Sequence, residues 1–557
     1  MKFLKPLIAT SLAALVVMIS FSLNAGAATV WPHVDNVEPT KTWKISFNKP
    51  VDRKTVTNKS IYITDSKGIK LSNVITFSNS DETVQILPPS GNYRAGETYT
   101  IHITPAVENR DGKALKEGVT KTFTIEKVTY DLANVQTDGT VSIVRKFTSF
   151  EEAASQMTQN QAVLKSGMIV HMPSGLVSTK SANGSSLTIL HSDKLLKKEV
   201  TYVAADTELL YVNSTDAYVE VELAGVNYYI THDNSRLLPG QTVKKRSYYY
   251  TANGSLFHSI YSHNAGSTGV YEVGLAPRFM QDGVHYYSTD GSRFTNAAGQ
   301  QVGTAHQYFQ YLPMRSKTQY TAEELDAYIL ARLRQLEQNS STAIYKDASV
   351  KSKLIGLGAE LKRVEKEYHV NALHILALAQ NESQYGMSAY AQKYNNIFGL
   401  YVTDDNPSKK EFTTVNHNIE ELVNVFLNRN YLPPTGGYAN GTNFGNKAVG
   451  VNVKYASDPY WGAKNAGHMY RIDRMMGGRE LANQAKIGLT NINEISLKFR
   501  RDPSTSQQYA YSYPKSGMPM IILDDQLKEA PWIKVRSDYV PYDELFVHGS
   551  YVGRLEW

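Results

Sequence analysis

The spacing of apolar residues changes twice along this chain, and each change predicts a different architecture. From residue 29 to about 127, apolar and polar residues alternate through Trp43-Ile45-Phe47, Ile61-Ile63, Val84-Ile86, Tyr99-Ile101-Ile103 and Phe123-Ile125. A strand turns successive side chains to opposite faces, so a period of two marks half-buried strands. Turn clusters at Asp65-Ser66-Lys67-Gly68 and Pro88-Pro89-Ser90-Gly91 separate them. Short strands at this spacing predict a β-sandwich over 28–127. Alternation continues through a tyrosine-rich β region over 128–314, where an SH3-like barrel would fit within 145–240. Its aromatics, Tyr248-Tyr249-Tyr250 and Tyr286-Tyr287, either stack on sugars or fill sheet faces. The period then becomes helical. Thr321 and Glu324 form a capping box, Leu325, Ile329 and Leu333 share one face, and Leu354, Leu357, Leu361 and Val364 share another. A mainly helical domain is expected over 315–487. Alternation returns in Ile495-Leu497-Phe499, Met518-Met520-Ile522 and Trp532-Ile533-Val535. Residues 488–557 therefore read as a small β module, either an SH3-like barrel or a β-extension packed on the helices.

None of the 557 residues is cysteine, so ordinary apolar cores must hold these domains. Thiolate nucleophiles and cysteine-based zinc sites are excluded. Lys2 and Lys5, an apolar stretch over 6–22, and Ala25-Gly26-Ala27 predict a secretory signal over 1–27. No second apolar run of about 18 residues follows, so no membrane span is expected. The net charge of +6 is either a solvated surface bias or a means of retention on anionic wall polymers. Nucleic acid is not an expected partner, because no basic run is interleaved with aromatics.

The helical domain contains the run LHILALAQNESQYGMSAYAQKYNNIFGL over 373–400. An apolar helix here ends in one carboxylate, Glu382. A carboxyl at the edge of an apolar wall has its charged form disfavoured, and its pKa should rise toward neutrality. Protonating a glycosidic oxygen requires such a group. A helix-end glutamate making a structural hydrogen bond is the plain alternative.

Two blocks stand in fixed order: Glu382-Ser383 with Tyr385-Gly386-Met387-Ser388, Ala391, Asn395-Asn396 and Phe398-Gly399-Leu400, then Tyr455-Ala456-Ser457-Asp458-Pro459-Tyr460-Trp461. Together they resemble the catalytic core of glycoside hydrolase family 73, the bacterial cell-wall β-N-acetylglucosaminidases. Flanking segments at 276–294 and 308–329 are similar to the lead-in of secreted Gram-positive glucosaminidases, and 37–52 resembles bacterial Ig-like domains. The resemblance implies a secreted, wall-associated enzyme with a lysozyme-like helical domain. Its partner would be the peptidoglycan glycan strand, cut between N-acetylglucosamine and N-acetylmuramic acid without a cofactor. Glu382 would be the general acid. Tyr455 would lie near the scissile sugar, hydrogen-bonding its acetamido group or steadying an oxocarbenium-like transition state. Tyr460 and Trp461 offer an apolar platform for a pyranose, Asp458 a turn at the cleft edge, and Asn396 and Phe398 a groove floor. Ser383 follows the acid as an orienting or capping group.

A second carboxylate is less defined. Tyr401-Val402-Thr403 and Glu411-Phe412-Thr413-Thr414 read as a β-hairpin inserted among the helices, and its acids Asp404, Asp405 and Glu411 are the candidates. Inverting enzymes need the partner about 6.5–9.5 Å away and retaining ones about 5–5.5 Å. Asp404 and Asp405 also suit a plain turn. Substrate assistance by the sugar's acetamido oxygen would need no partner at all. His374, His417 and His468 stand alone, so no metal is called for. Catalysis is expected within 315–487, with the β modules holding the enzyme at the wall. A lytic transglycosylase and a non-catalytic wall-binding protein remain as other readings.

Overall fold

The structure is a computed structural model that describes residues 28–402, 411–493 and 495–557. The expected signal segment, Asp404 and Asp405 lie outside the described residues. The chain divides into two compact units. One comprises the residues up to Leu132 with Ile143–Gln156 and Leu164–Met168, and the other Ala133–Ser142, Met157–Val163 and Ile169–Trp557.

In the first unit, strands Thr29–Val37, Val119–Ile125, Thr98–Ile103 and Ile61–Thr64 form a four-stranded sheet in that order. Trp43–Ser46, Thr83–Ile86 and Ile75–Ser78 form a second sheet of three. The alternation is realised: Tyr99, Ile101 and Ile103 are buried, and the residues between them are half-buried. Ile45, Ile63, Val84, Ile86 and Phe123 from both sheets share one core, as two packed layers require.

The second unit joins three sequence regions that differ in secondary structure. Seven antiparallel strands run in the order Glu199–Ala204, Leu187–His191, Val226–Ile230, Val219–Leu223, Glu208–Ser214, Gly175–Thr179 and Ser235–Pro239. A three-stranded sheet follows, of Tyr248–Ala252, Ser255–Tyr261 and Thr268–Leu275. Its aromatics fill the sheet: Tyr249 stacks on His258 at 4.0 Å, and Tyr248 on His285 at 3.7 Å.

The helices of this unit include α1 (Ala322–Asn339), α2 (Gly358–Tyr368), α3 (Ala372–Glu382), α4 (Ala389–Tyr394), α5 (Val415–Glu420), α6 (Asn452–Tyr455) and α7 (Trp461–Met475). The capping box of α1 forms with both bonds, Glu324 N to Thr321 Oγ1 and Thr321 N to Glu324 Oε2. Helix α3 is the central element, buried on every side from Ala372 to Gln380, with Asn371 accepting from the Leu373 amide at its start. Helix α7 crosses α3 on one side and strand Thr268–Leu275 on the other. That second crossing depends on Gly467, where a Cβ would stand 1.9 Å from the Glu272 carbonyl oxygen. Gly467→Ala must push helix and strand apart, and we expect it to lower stability by about 1–3 kcal/mol in a denaturant titration.

The expected hairpin over 401–414 has no strand in its described flanks. The Val402 amide closes a turn on the Gly399 carbonyl, and the Phe412 amide donates to the Tyr394 carbonyl at the end of α4. Phe412 is buried in the helical core, and residues 403–410 of the expected hairpin lie outside the described residues. The C-terminal residues form a five-stranded sheet, in the order Glu544–His548, Trp532–Arg536, Pro519–Asp524, Ile487–Thr490 and Val552–Arg554. Ile495 precedes the short strand Leu497–Phe499 and is exposed, not a strand residue. The core under this sheet includes Met520, Val535, Val547 and also Val449, which belongs to the loop before α6.

Candidate active site

Helix α3 breaks immediately after Glu382. Ser383 is buried; its hydroxyl donates to the Ala379 carbonyl and accepts from the Gly386 amide at 2.7 Å. Gln384, Tyr385 and Gly386 then take φ of 50°, 58° and 77°, which turns the chain sharply. At Gly386 a Cβ would also meet Ser352 Oγ at 2.6 Å. Ser383 is thus a turn-locking residue with its hydroxyl committed to backbone, and it does not present itself to a sugar. Its role is to leave the preceding carboxylate at the mouth of an apolar helix.

The Trp461 indole N–H donates to Glu382 Oε1 at 2.6 Å, and Asn381 Nδ2 donates to the same oxygen at 3.4 Å. Burial pushes the Glu382 carboxyl above its ordinary range, the Trp461 bond opposes that shift, and the negative charge of Asp458 adds to it. Trp461 is the first residue of α7 and stands in an aromatic wall. The Tyr455 ring stacks on it at 4.6 Å and Phe444 meets it edge-on at 5.6 Å, with Tyr431 5.5 Å from Tyr455. Burial and the Glu382 charge hold the Tyr455 phenol well above its usual range, so it stays a hydrogen-bond donor. Asp458 accepts from the Tyr460 amide at 2.9 Å and pairs with Lys464 at 2.6 Å, which fixes the start of α7.

Glu382, Tyr455, Asp458 and Trp461 therefore come together, although 79 positions separate the first from the last. Other expected site residues take different places. Tyr460 sets its ring edge-on to His258 of strand Ser255–Tyr261 at 4.5 Å, so it packs on the sheet. Asn396 and Phe398 are buried. The Asn396 amide group exchanges two 3.0 Å bonds with the backbone of Leu400, and Phe398 belongs to the helical core. Glu411 is exposed, at the edge of the described residues.

A residue that sequence reasoning missed lies behind Tyr455. Lys447 is fully buried, donates to the carbonyls of Asn452, at 3.0 Å, and Ala456, and has its ammonium 4.9 Å from the Tyr202 ring centre. Burial pushes it down to about 7. Four more bonds fasten the same segment to the seven-stranded sheet. Thr201 Oγ1 donates to Val453 O at 2.6 Å, Tyr202 OH to Lys454 O at 3.1 Å, the Ala204 amide to Ser457 O at 3.1 Å, and Tyr228 OH to Lys447 O at 3.1 Å. The available sequence signal was Gly445 and Gly450, whose added Cβ atoms would collide with backbone and which mark a tightly folded loop.

His374 and His468 are structural. His374 is buried, donates through Nε2 to the Leu312 carbonyl at 3.1 Å, and is pushed by burial down to about 3. His468 bonds Gln380 and Tyr385 beside Arg471, and burial keeps its imidazole neutral. Among the described residues no three acidic or histidine side chains converge as a metal site, and no helix is long and apolar enough to cross a membrane.

Comparison with known proteins gives matches to two families. The family described as mannosyl-glycoprotein endo-beta-N-acetylglucosaminidase matches residues 358–474, and the bacterial Ig-like domain family matches 25–125. Two proteins of Streptococcus pneumoniae, from strains TIGR4 and R6 and provisionally named endo-beta-N-acetylglucosaminidase, are 31% identical over 269 residues. The match covers 48% of this chain and 36% and 34% of theirs, so the chain spans about a third of the length of these relatives. A catalytic mutant of Staphylococcus aureus autolysin E, solved with the disaccharide NAG-NAM, is 16% identical, covering 31% of this chain and 76% of that one with a TM-score of 0.23. The chain thus carries a glucosaminidase domain of glycoside hydrolase family 73 together with an N-terminal bacterial Ig-like domain.

Proposed function

We propose that the protein is a secreted, wall-associated hydrolase that cleaves the β-1,4 bond between N-acetylglucosamine and N-acetylmuramic acid in peptidoglycan, with Glu382 as general acid. The observation that carries this reading is a carboxyl raised by burial and fixed by an indole N–H inside an aromatic wall. Protonated Glu382 gives its proton to the glycosidic oxygen as the bond to the anomeric carbon breaks. The carboxylate left behind then takes a proton from the attacking water. The Tyr455 phenol supplies a hydrogen bond to the acetamido group or to the charge developing on the ring. Trp461, itself buried under the Tyr455 ring, orients the acid through its indole N–H. The acetamido oxygen serves as the nucleophile in our default mechanism, and Asp404, Asp405 and Glu411 are the carboxylates that would replace it. The basic surface helps hold the enzyme on anionic wall polymers.

Mass spectrometry of digested peptidoglycan tests the reaction. Reducing N-acetylglucosamine ends are expected. Anhydro-muramyl ends would make the enzyme a lytic transglycosylase, and no cleavage would leave a wall-binding protein. The role of Trp461 has its own test. Its N–H bond favours the ionised form of Glu382, so Trp461→Phe should raise the pKa of the acid. The alkaline limb of kcat/KM against pH should then move to higher pH, because the acid stays protonated longer. A limb that stays or moves down would separate Trp461 from the acid.

A further inference from the structure

The aromatic wall beside Glu382 does not end at Tyr455. Tyr431, the last residue of the π-helical segment Glu421–Tyr431, lies 5.5 Å from the Tyr455 ring, and the Tyr438 ring lies 5.3 Å from Tyr431. Exposure along this row is uneven. Trp461 and Tyr431 are buried, Tyr455 is half-buried, and Tyr438 is 48% exposed. Trp461 lies under Tyr455, so the aromatic surface that this wall can offer a sugar belongs to Tyr455 and Tyr438. Both rest on the buried ring of Tyr431, which keeps Tyr438 close to the ring nearest the Glu382–Trp461 pair.

An exposed tyrosine by itself needs no explanation. Tyr438 is set apart by its contact with the wall and by how firmly its backbone is held. The chain leaves the helical segment at Tyr431, turns through Pro433-Pro434-Thr435-Gly436-Gly437 and returns, and the Tyr438 amide donates to the Asn430 carbonyl at 2.9 Å. The Gly436 amide closes the turn on the Pro433 carbonyl at 2.8 Å, and a Cβ at Gly436 would stand 2.3 Å from the Asn430 carbonyl oxygen. Only glycine lets the loop lie that near the helix end. Beyond the turn, Asn440 Nδ2 donates to the Tyr438 carbonyl at 3.1 Å, and Lys515 Nζ holds Asn440 Oδ1 at 2.7 Å. Both backbone polar groups of Tyr438 are therefore engaged, while its side chain faces solvent. Tyr401, Tyr509 and Tyr551 are exposed too, but they meet Phe426, Lys498 and His548.

We propose that Tyr438 stacks on a pyranose of the glycan strand beyond the sugars that flank the cut, and so makes the enzyme prefer long strands, a proposal that rests on the hydrolase reading above. A pyranose has an apolar face of C–H groups and a rim of hydroxyls, which suits a ring with an apolar body and a polar tip. The backbone is already fixed and a tyrosine has few rotatable bonds, so ordering it on binding costs little. A sugar that does not react is held alike before and during the transition state. The contact therefore lowers KM and leaves kcat as it is.

The full chain tests this with two peptide-free glycans, a tetrasaccharide and long strands, compared by kcat/KM. The parent should favour the long strands. Tyr438→Ser should reduce that preference by about three- to tenfold, through KM. Tyr438→Leu keeps apolar cover over Tyr431 but lacks a flat ring, and should behave as the serine variant does. Tyr438→Trp should restore the parental preference or exceed it. The proposal is overturned if Tyr438→Ser loses rate equally on both lengths, since the ring would then only prop Tyr431 and Tyr455. Cleavage of both glycans with the parental preference kept in Tyr438→Ser and Tyr438→Leu overturns this proposal while the hydrolase reading stands. A parent that cleaves neither glycan overturns both.

Discussion

Glu382→Gln is expected to remove wall hydrolysis while leaving the protein folded. The substitution is nearly isosteric and keeps an oxygen that can accept the Trp461 N–H, so the aromatic wall has no reason to move. What it deletes is the transferable proton. General acid–base assistance contributes about 100- to 10,000-fold, so residual activity in a zymogram should be at most a few per cent. Activity above about a third of the parent would end the assignment. A stability measurement accompanies it. The Glu382 pKa is raised in the folded state from an ordinary 4.5, so between that value and the raised one the native protein holds a proton that the unfolded chain has released. Stability of the parent therefore falls as pH rises through this window, whereas glutamine does not titrate. The melting temperature of Glu382→Gln minus that of the parent should grow from about pH 4 upward. A difference that shrinks with pH would mean the carboxylate is stabilised in place, which would not suit an acid.

Residues 315–487 produced alone are expected to lose cleavage of soluble glycan by about 100-fold or more, the scale of an ångström-level misplacement of catalytic groups. The sequence places the chemistry in that stretch, but the loop that carries Tyr455 and Asp458 does not hold its own shape. Val449 is buried in the core of the C-terminal sheet, and Ala448 packs against that core and the core of the seven-stranded sheet. Ala463 at the start of α7 lies in a core with Tyr249, Leu256 and Phe294. Glu272 pairs with Arg471 at 3.0 Å and Arg474 at 2.8 Å. Removing the flanking sheets strips all of these, along with the donors to the carbonyls of the Lys447 loop. Near-UV circular dichroism should show lost aromatic order in the fragment. A fragment with a sharp melt and the parental rate would refute the prediction. Deleting 29–127 should act differently, since its core is drawn from residues 37–125 alone. Cleavage of short soluble glycan should persist while retention on intact walls weakens, because linked weak sites raise apparent affinity without touching the barrier.

What was legible in the sequence depended on neighbours within a turn or two. The period of two gave the strands of residues 29–125, the Thr321–Glu324 box gave the start of α1, and the apolar run gave a buried α3 ending at Glu382. These features follow from backbone geometry that repeats locally, so pattern alone determines them. The two motif blocks also pointed to the family, because their residues are read in order along the chain. Tertiary structure decided the rest. Phe412 was drawn into the helical core, and Tyr460 turned to His258. Lys447, an unremarkable lysine in sequence, became the buried tie beneath Tyr455. Each of those outcomes was set by a partner brought close only when the cores closed. The partners of Lys447 at Tyr202 and of Trp461 at Glu382 are the clearest cases. Burial against such distant partners sets both the direction a side chain faces and the protonation state it keeps, and no local period encodes either.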